Sequence, residues 1–165
     1  MLRAIFAIDR NGGMGNKGSL PWPHDPEDMR WFRQHTSNQL VIMGSSTWLD
    51  PTMPSPLPHR INVVVSDQPP HKFYGADYIV KTDNLSVTLG EIASQHKERS
   101  CWVIGGPKLL TMTRHLITDA YVTHYHDEYE ADAVLDVACW LNNAMIQEES
   151  YGNNKTFRRY TCTPI

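Results

Sequence analysis

Short apolar runs recur along the chain, separated by segments whose apolar residues return every three or four positions. The runs Leu2–Ile8, Gln39–Met43, Ile61–Ser66, Tyr78–Val80, Cys101–Ile104, Tyr121–Tyr125 and Thr156–Thr163 predict strands. Val41-Ile42-Met43, Val63-Val64-Val65 and Trp102-Val103-Ile104 are continuous rather than alternating, the pattern of strands buried on both faces. Helical spacing and start signals predict helices at Pro26–His35, Ser45–Leu49, Val87–Gln95 and Pro107–Leu116. Strands alternating with about four helices imply an α/β fold with a mixed, mainly parallel sheet, here as a single domain over residues 1–165. The late strands have no helices between them and predict an antiparallel edge.

One carboxylate interrupts this pattern. Asp25-Pro26 reads as a helix start, with an N-cap acid followed by proline where no N–H is needed. From there Asp28, Trp31, Phe32 and His35 fall on one helical face. A carboxylate on an apolar face needs a hydrogen-bonding or cationic partner, and a ligand is one candidate. The plainer alternative is a surface acid complementing the helix dipole, the role expected for Glu27.

Ligands of open α/β sheets bind beyond the carboxyl ends of the strands. Those ends carry Met43-Gly44-Ser45, Val65-Ser66-Asp67 and Ile104-Gly105-Gly106. In Ile104-Gly105-Gly106-Pro107-Lys108 and in Gly44-Ser45-Ser46-Thr47, glycine permits close backbone approach and a helix start can receive phosphate. A tight turn or simple N-capping would explain either one; the pair favours an elongated, phosphate-bearing ligand. Arg60, just before a strand, can clamp a carboxylate with its planar fork or stand solvated.

Composition narrows the options. With 165 residues and 41 % hydrophobic positions, the chain can bury one core. A net charge of −3 provides no basic field for nucleic acid. Three distant cysteines suggest free thiols in a reducing compartment, and eight scattered histidines form no metal-ligand pattern. No apolar run approaches the ~18 residues of a bilayer span. The N-terminus reads as a strand rather than a signal peptide, so a soluble cytoplasmic protein is expected. No Gly-x-Ser-x-Gly or nucleophile–His–acid set points to hydrolysis.

Taken together, the motifs resemble those of dihydrofolate reductases. Asn16-Lys17-Gly18-Ser19-Leu20-Pro21-Trp22 precedes an acid six residues later, with Trp31-Phe32 beyond. Val41-Ile42-Met43-Gly44, Thr47-Trp48, Pro56-Leu57-Pro58-His59-Arg60, Val103-Ile104-Gly105-Gly106 and Tyr121-Val122-Thr123-His124 follow in family order. The resemblance runs from about Leu2 to Thr163. It implies an eight-stranded sheet with four helices, a monomer, and NADPH-dependent reduction of 7,8-dihydrofolate. It implies Asp28, Trp22 and Thr123 as the catalytic set, with Asp28 binding the pterin. Ile5, Phe32, Leu57 and Ile104 would wall the substrate pocket, and Arg60 would hold the glutamate α-carboxylate. Ala7, Leu20, Gly44, Ser45, Ser46, Thr47, Ser66, Asp67, Gly105, Gly106, Pro107 and Lys108 would line the cofactor side. Gly13–Trp22 resembles a mobile lid, braced by a loop acid at Asp132. Dihydrofolate and antifolate-like molecules are the implied partners.

The departures from the family pattern concentrate on the cofactor side. Ser45 replaces a usual basic residue, and Asp67 would repel a 2′-phosphate or bond a free ribose hydroxyl. Pro107 removes a backbone donor, and Leu110 replaces a tyrosine usual near the nicotinamide. Leu135-Asp136 replaces an aromatic-proline pair. NADPH remains the expected cofactor, with weak discrimination against NADH. The competing readings are a related pterin or pyrimidine reductase and a non-catalytic folate-binding module.

Overall fold

A computed structural model describes residues 2–163; residues 1, 164 and 165, the ends of the expected single domain, lie outside the described residues. The chain opens with β1 (Leu2–Ile8), β2 (Gly13–Gly15) and α1 (Pro26–Thr36), followed by β3 (Leu40–Gly44), α2 (Ser45–Trp48) and β4 (Ile61–Val65). It continues through β5 (Tyr78–Val80), α3 (Leu85–Gln95), β6 (Cys101–Gly105), α4 (Pro107–Thr113) and β7 (Ile117–Tyr125). It closes with β8 (Ala133–Val134), α5 (Val137–Trp140), β9 (Met145–Gly152) and β10 (Lys155–Thr161).

Eight strands form one sheet in the order β5-β4-β3-β6-β1-β7-β10-β9. Every pairing from β5 to β7 is parallel, and the last two, β7–β10 and β10–β9, are antiparallel. The mainly parallel α/β architecture and its antiparallel edge therefore agree with the sequence pattern. The five α-helices slightly exceed the expected four because α5 is one short turn. β2 and β8 pair separately as a small ribbon.

The continuous apolar strands divide their side chains between two cores. Ala4, Phe6, Leu40, Ile42, Val63 and Val103 pack on one face with Leu85, Leu89 and Leu109 of α3 and α4. Ile5, Val41, Met43, Val64, Trp102 and Ile104 pack on the other, against Trp31 and Phe32 of α1 and Trp48 of α2. Neighbouring residues alternate between the clusters, as the two-residue strand period requires.

The misplaced boundaries have local causes. β7 starts at Ile117 rather than Tyr121 because Thr118 and Asp119 interrupt its apolar pattern. α4 stops at Thr113, and the chain tightens into a 3-10 turn through Leu116. α3 begins two residues early, on Asn84 in the left-handed conformation. β9 went unrecognised because Met145–Gly152 is almost wholly exposed; pairing with β10 defines it, and hydrophobic burial does not.

Candidate active site

The N-cap of α1 positions the central acid. The Asp25 carboxylate accepts the Glu27 and Asp28 amides at 3.1 and 3.4 Å, and Pro26 occupies the first turn. Asp28 then faces β7, where buried Thr123 donates its hydroxyl to Asp28 Oδ1 at 2.7 Å. Burial pushes the Asp28 carboxyl up to about 6, while the Thr123 bond pulls the other way and the Asp25 charge adds to the rise. Desolvation thus outweighs the Thr123 bond and the Lys155 charge, the two effects that favour the ionised form. Further along the same helical face, Trp31 and His35 pack edge-to-face with ring centroids 4.5 Å apart, and burial holds His35 low.

Ile5, Phe32, Leu57 and Ile104 are assembled in one apolar group, on the α1 side of the sheet. Arg60 extends past Phe32, its guanidinium carbon 5.7 Å from the ring centroid. Its nitrogens donate to neutral oxygens, Thr36 Oγ1 at 3.2 Å and the Pro58 carbonyl at 2.8 Å. The fork is therefore oriented, and no carboxylate among the described residues satisfies it. Buried Asn62 secures the preceding turn, accepting from the Leu57 amide and donating to the Leu57 carbonyl.

Two strand ends meet next to this face of the sheet. A Cβ on Gly44 would lie 3.8 Å from both the Gly105 carbonyl and the Gly106 amide, so the two turns face each other. Thr47 Oγ1 and Met14 lie against Gly105, whose φ of +128° only glycine adopts readily, while the position a Gly106 side chain would take is open. Pro107 starts α4 and Lys108 is exposed. Ala7 pairs with Thr123 across β1 and β7. Leu20 is exposed, and Ser46 stands on the first turn of α2.

The cofactor side differs from expectation in two respects. Asp67 does not stand free: Thr82 donates its amide to one oxygen at 2.9 Å and its hydroxyl to the other at 2.5 Å. Those bonds, then Lys81 and Lys108, hold this carboxyl below its usual range. Around it Gln68 bridges Ser45 Oγ and Lys72 Nζ, and its amide bonds Ser66 Oγ. Leu110, expected beside the nicotinamide, is fully buried in the α3–α4 core and presents no surface to the cleft. Its place on α4 turns it inward, where Trp140 Nε1 donates to its carbonyl at 2.8 Å.

The family described as Dihydrofolate reductase matches residues 1–163. The chain belongs to the dihydrofolate reductase family. The dihydrofolate reductase of Bacillus subtilis (strain 168) is 35 % identical over 132 residues, spanning 80 % of this chain and 73 % of that protein. Dihydrofolate reductase type 9 from Escherichia coli is 30 % identical over 158 residues, spanning 94 % and 88 %. A solved dihydrofolate reductase from Enterococcus faecalis, complexed with NADP(H) and RAB-propyl, superposes with a TM-score of 0.76 at 22 % identity, over 98 % of this chain and 95 % of that one.

In this reductase chain the loop over the glycine turns is anchored at three points. Asp132 Oδ2 accepts the Lys17 amide at 3.0 Å, and Ser19 Oγ donates to Asp50 at 3.2 Å. Asp9, which sequence reasoning missed, is buried and receives the Asn11, Gly13 and Tyr129 amides at 2.8 to 2.9 Å. Trp22 ends the loop, buried and stacked on Tyr125 at 4.3 Å. Tyr125 and buried Lys155 were missed as well; the only sequence signal was a lysine immediately before the Thr156–Thr163 strand candidate.

Proposed function

We propose that this reductase converts 7,8-dihydrofolate to 5,6,7,8-tetrahydrofolate with NADPH, acting as a monomer in the cytoplasm. The observation that carries the reading is the half-buried Asp28 carboxylate, bonded to Thr123 and raised to about 6 by its surroundings. In this reading Asp28 accepts hydrogen bonds from the pterin 2-amino group and N3, orienting and polarising the ring. Thr123 holds the carboxylate in place, and the proton for N5 comes from water. Ile5, Phe32, Leu57 and Ile104 enclose the apolar part of the substrate, and Arg60 takes the glutamate α-carboxylate. No helix among the described residues is long and apolar enough to cross a membrane.

The open, backbone-lined turns at Gly44 and Gly105–Gly106 suit a dinucleotide, and Ala7, Leu20, Thr47 and Trp22 would hold its nicotinamide half beneath the loop. When bound, NADPH supplies the hydride that the pterin receives at C6. Ser45, Ser46, Ser66, Asp67, Pro107 and Lys108 would meet the rest of the cofactor. Asp67 stays ionised in its bonds to Thr82, but Lys81 and Lys108 both bear on it, so the outer end keeps two cations for a 2′-phosphate. NADPH is therefore preferred, with NADH tolerated because Ser45 supplies no charge. Mixing purified protein with dihydrofolate and each reduced nicotinamide tests this reading. Folate-dependent loss of reduced-nicotinamide absorbance, faster with NADPH, is the expected result; no loss with either cofactor would sink the assignment.

A further inference from the structure

Four ionisable side chains beside Asp28 form a connected group that substrate recognition leaves unexplained. Asp25 divides its oxygens: Oδ1 accepts the Glu27 and Asp28 amides, while Oδ2 receives Tyr125 Oη at 2.6 Å and Lys155 Nζ at 3.1 Å. Lys155 is 2 % exposed, and its ammonium also donates to Glu27 Oε1 and the Asn153 carbonyl at 2.5 Å each. Lys155 pairs directly with Tyr125 in the β7–β10 register. Tyr125 lies two residues beyond Thr123 on β7, so both side chains face α1. The Asn153 amide returns to Glu27 Oε1, tying the β9–β10 turn to the same helix end.

We propose that Asp25, Tyr125 and Lys155 are positioning residues that clamp the start of α1 to β7 and β10 and set the electric field at Asp28. The catalytic half of this inference rests on the reading of Asp28 as the pterin-binding acid; the electrostatic half does not. The charges that bear most on Asp28 belong to the group. Asp25 and Glu27, at the head of its own helix, disfavour its ionised form, whereas Lys155 on β10 favours it. From β7, Thr123 supplies a neutral donor, and Tyr125 is held in its neutral form by burial and by the Asp28 and Asp25 charges. Trp22 stacks on Tyr125, so the end of the loop rests on the same clamp. A buried ammonium that only anchored strands would need oxygen partners, but not partners bonded to the cap of the catalytic helix.

Charge and scaffolding predict different signs, which makes the proposal testable. Asp25→Asn preserves an effective N-cap while removing a negative charge. Lys155→Met removes the positive one. Carbon-13 NMR of aspartate-labelled protein, with the Asp28 signal identified by its loss in Asp28→Asn, follows the carboxyl directly and without ligand. From a wild-type midpoint of about 6, Asp25→Asn should titrate lower and Lys155→Met higher, each by roughly one pH unit. Loosening alone would move both variants in the same direction. Midpoints that do not move, or that move together, overturn the proposal. If Lys155→Met fails to fold, Asp25→Asn decides: a lower midpoint supports the field, and an unchanged or higher one overturns it. The pH profile of kcat/KM should follow the NMR midpoint across the variants, and a profile that stays put overturns the catalytic half. Opposite NMR shifts in a protein lacking folate-dependent NADPH oxidation would leave the clamp standing and defeat the functional reading.

Discussion

Ionised Asp28 is stable at neutral pH only at a cost to the fold, because burial raises its carboxyl from the ordinary value of 3.8 to about 6. A carboxyl raised on folding binds its proton more tightly in the native state. Stability therefore falls as pH rises through the window from about 4 to about 6, by about 3 kcal/mol at most. Asp28→Asn should remove that penalty: thermal unfolding above pH 6 should show a more stable variant, and the gain should disappear near pH 4. The same substitution should lower dihydrofolate turnover by about 100-fold or more. A variant destabilised equally at both pH values, or turning over at the wild-type rate, would contradict these assignments. Thr123→Val deletes the donor that opposes the rise. Its Asp28 should titrate above the wild-type midpoint, as read by the pH dependence of kcat/KM.

At the scale of elements, the loop between β1 and α1 depends on carboxylates that hold backbone amides. Asp9 accepts three and is itself buried, so its loss leaves donors unsatisfied within the structure. Asp9→Ala should cost about 3 kcal/mol in denaturant unfolding, and wild-type stability would remove it as an anchor. Asp132 acts at the exposed end of the same loop through the Lys17 amide. Asp132→Ala should speed hydrogen exchange at Lys17 with little change in global stability, whereas unchanged exchange would show that the other two anchors suffice. The helix start at Asp25-Pro26 and the face carrying Asp28 were legible in sequence because capping and helical periodicity are local. Asp132 was reached only through the family resemblance, and Asp9 not at all, since Asp9 meets Tyr129 and Asp132 meets Lys17 across long stretches of chain.

The whole molecule brings the candidate cofactor residues together at the carboxyl ends of β3, β4 and β6, where parallel strands deliver loops to one edge of the sheet. A ligand spanning these ends binds only the folded chain, and it should stabilise that chain by mass action. NADPH at a hundred times its Kd should add about 2.7 kcal/mol, raising Tm by roughly 5–10 °C for a domain of this size. NADH should need a higher concentration for the same shift; equal shifts at equal concentrations would show that the Lys108 end does not read the 2′-phosphate.

Local chemistry determined the strands with continuous apolar runs, the start of α1 and the glycine turns, which follow from spacings within a dozen residues; the family came from resemblance, through motifs in order along nearly the whole chain. Only the tertiary structure decided that burial prevails at Asp28, that Leu110 faces the core, that Asp67 is engaged by Thr82 and that Lys155 is buried against Asp25. Each depends on which distant groups share a dry volume, because the strength of a charge or hydrogen bond is set by the water excluded around it. β9 is the corresponding case in the backbone: its polar sequence carries no burial signal, and β10 alone makes it a strand.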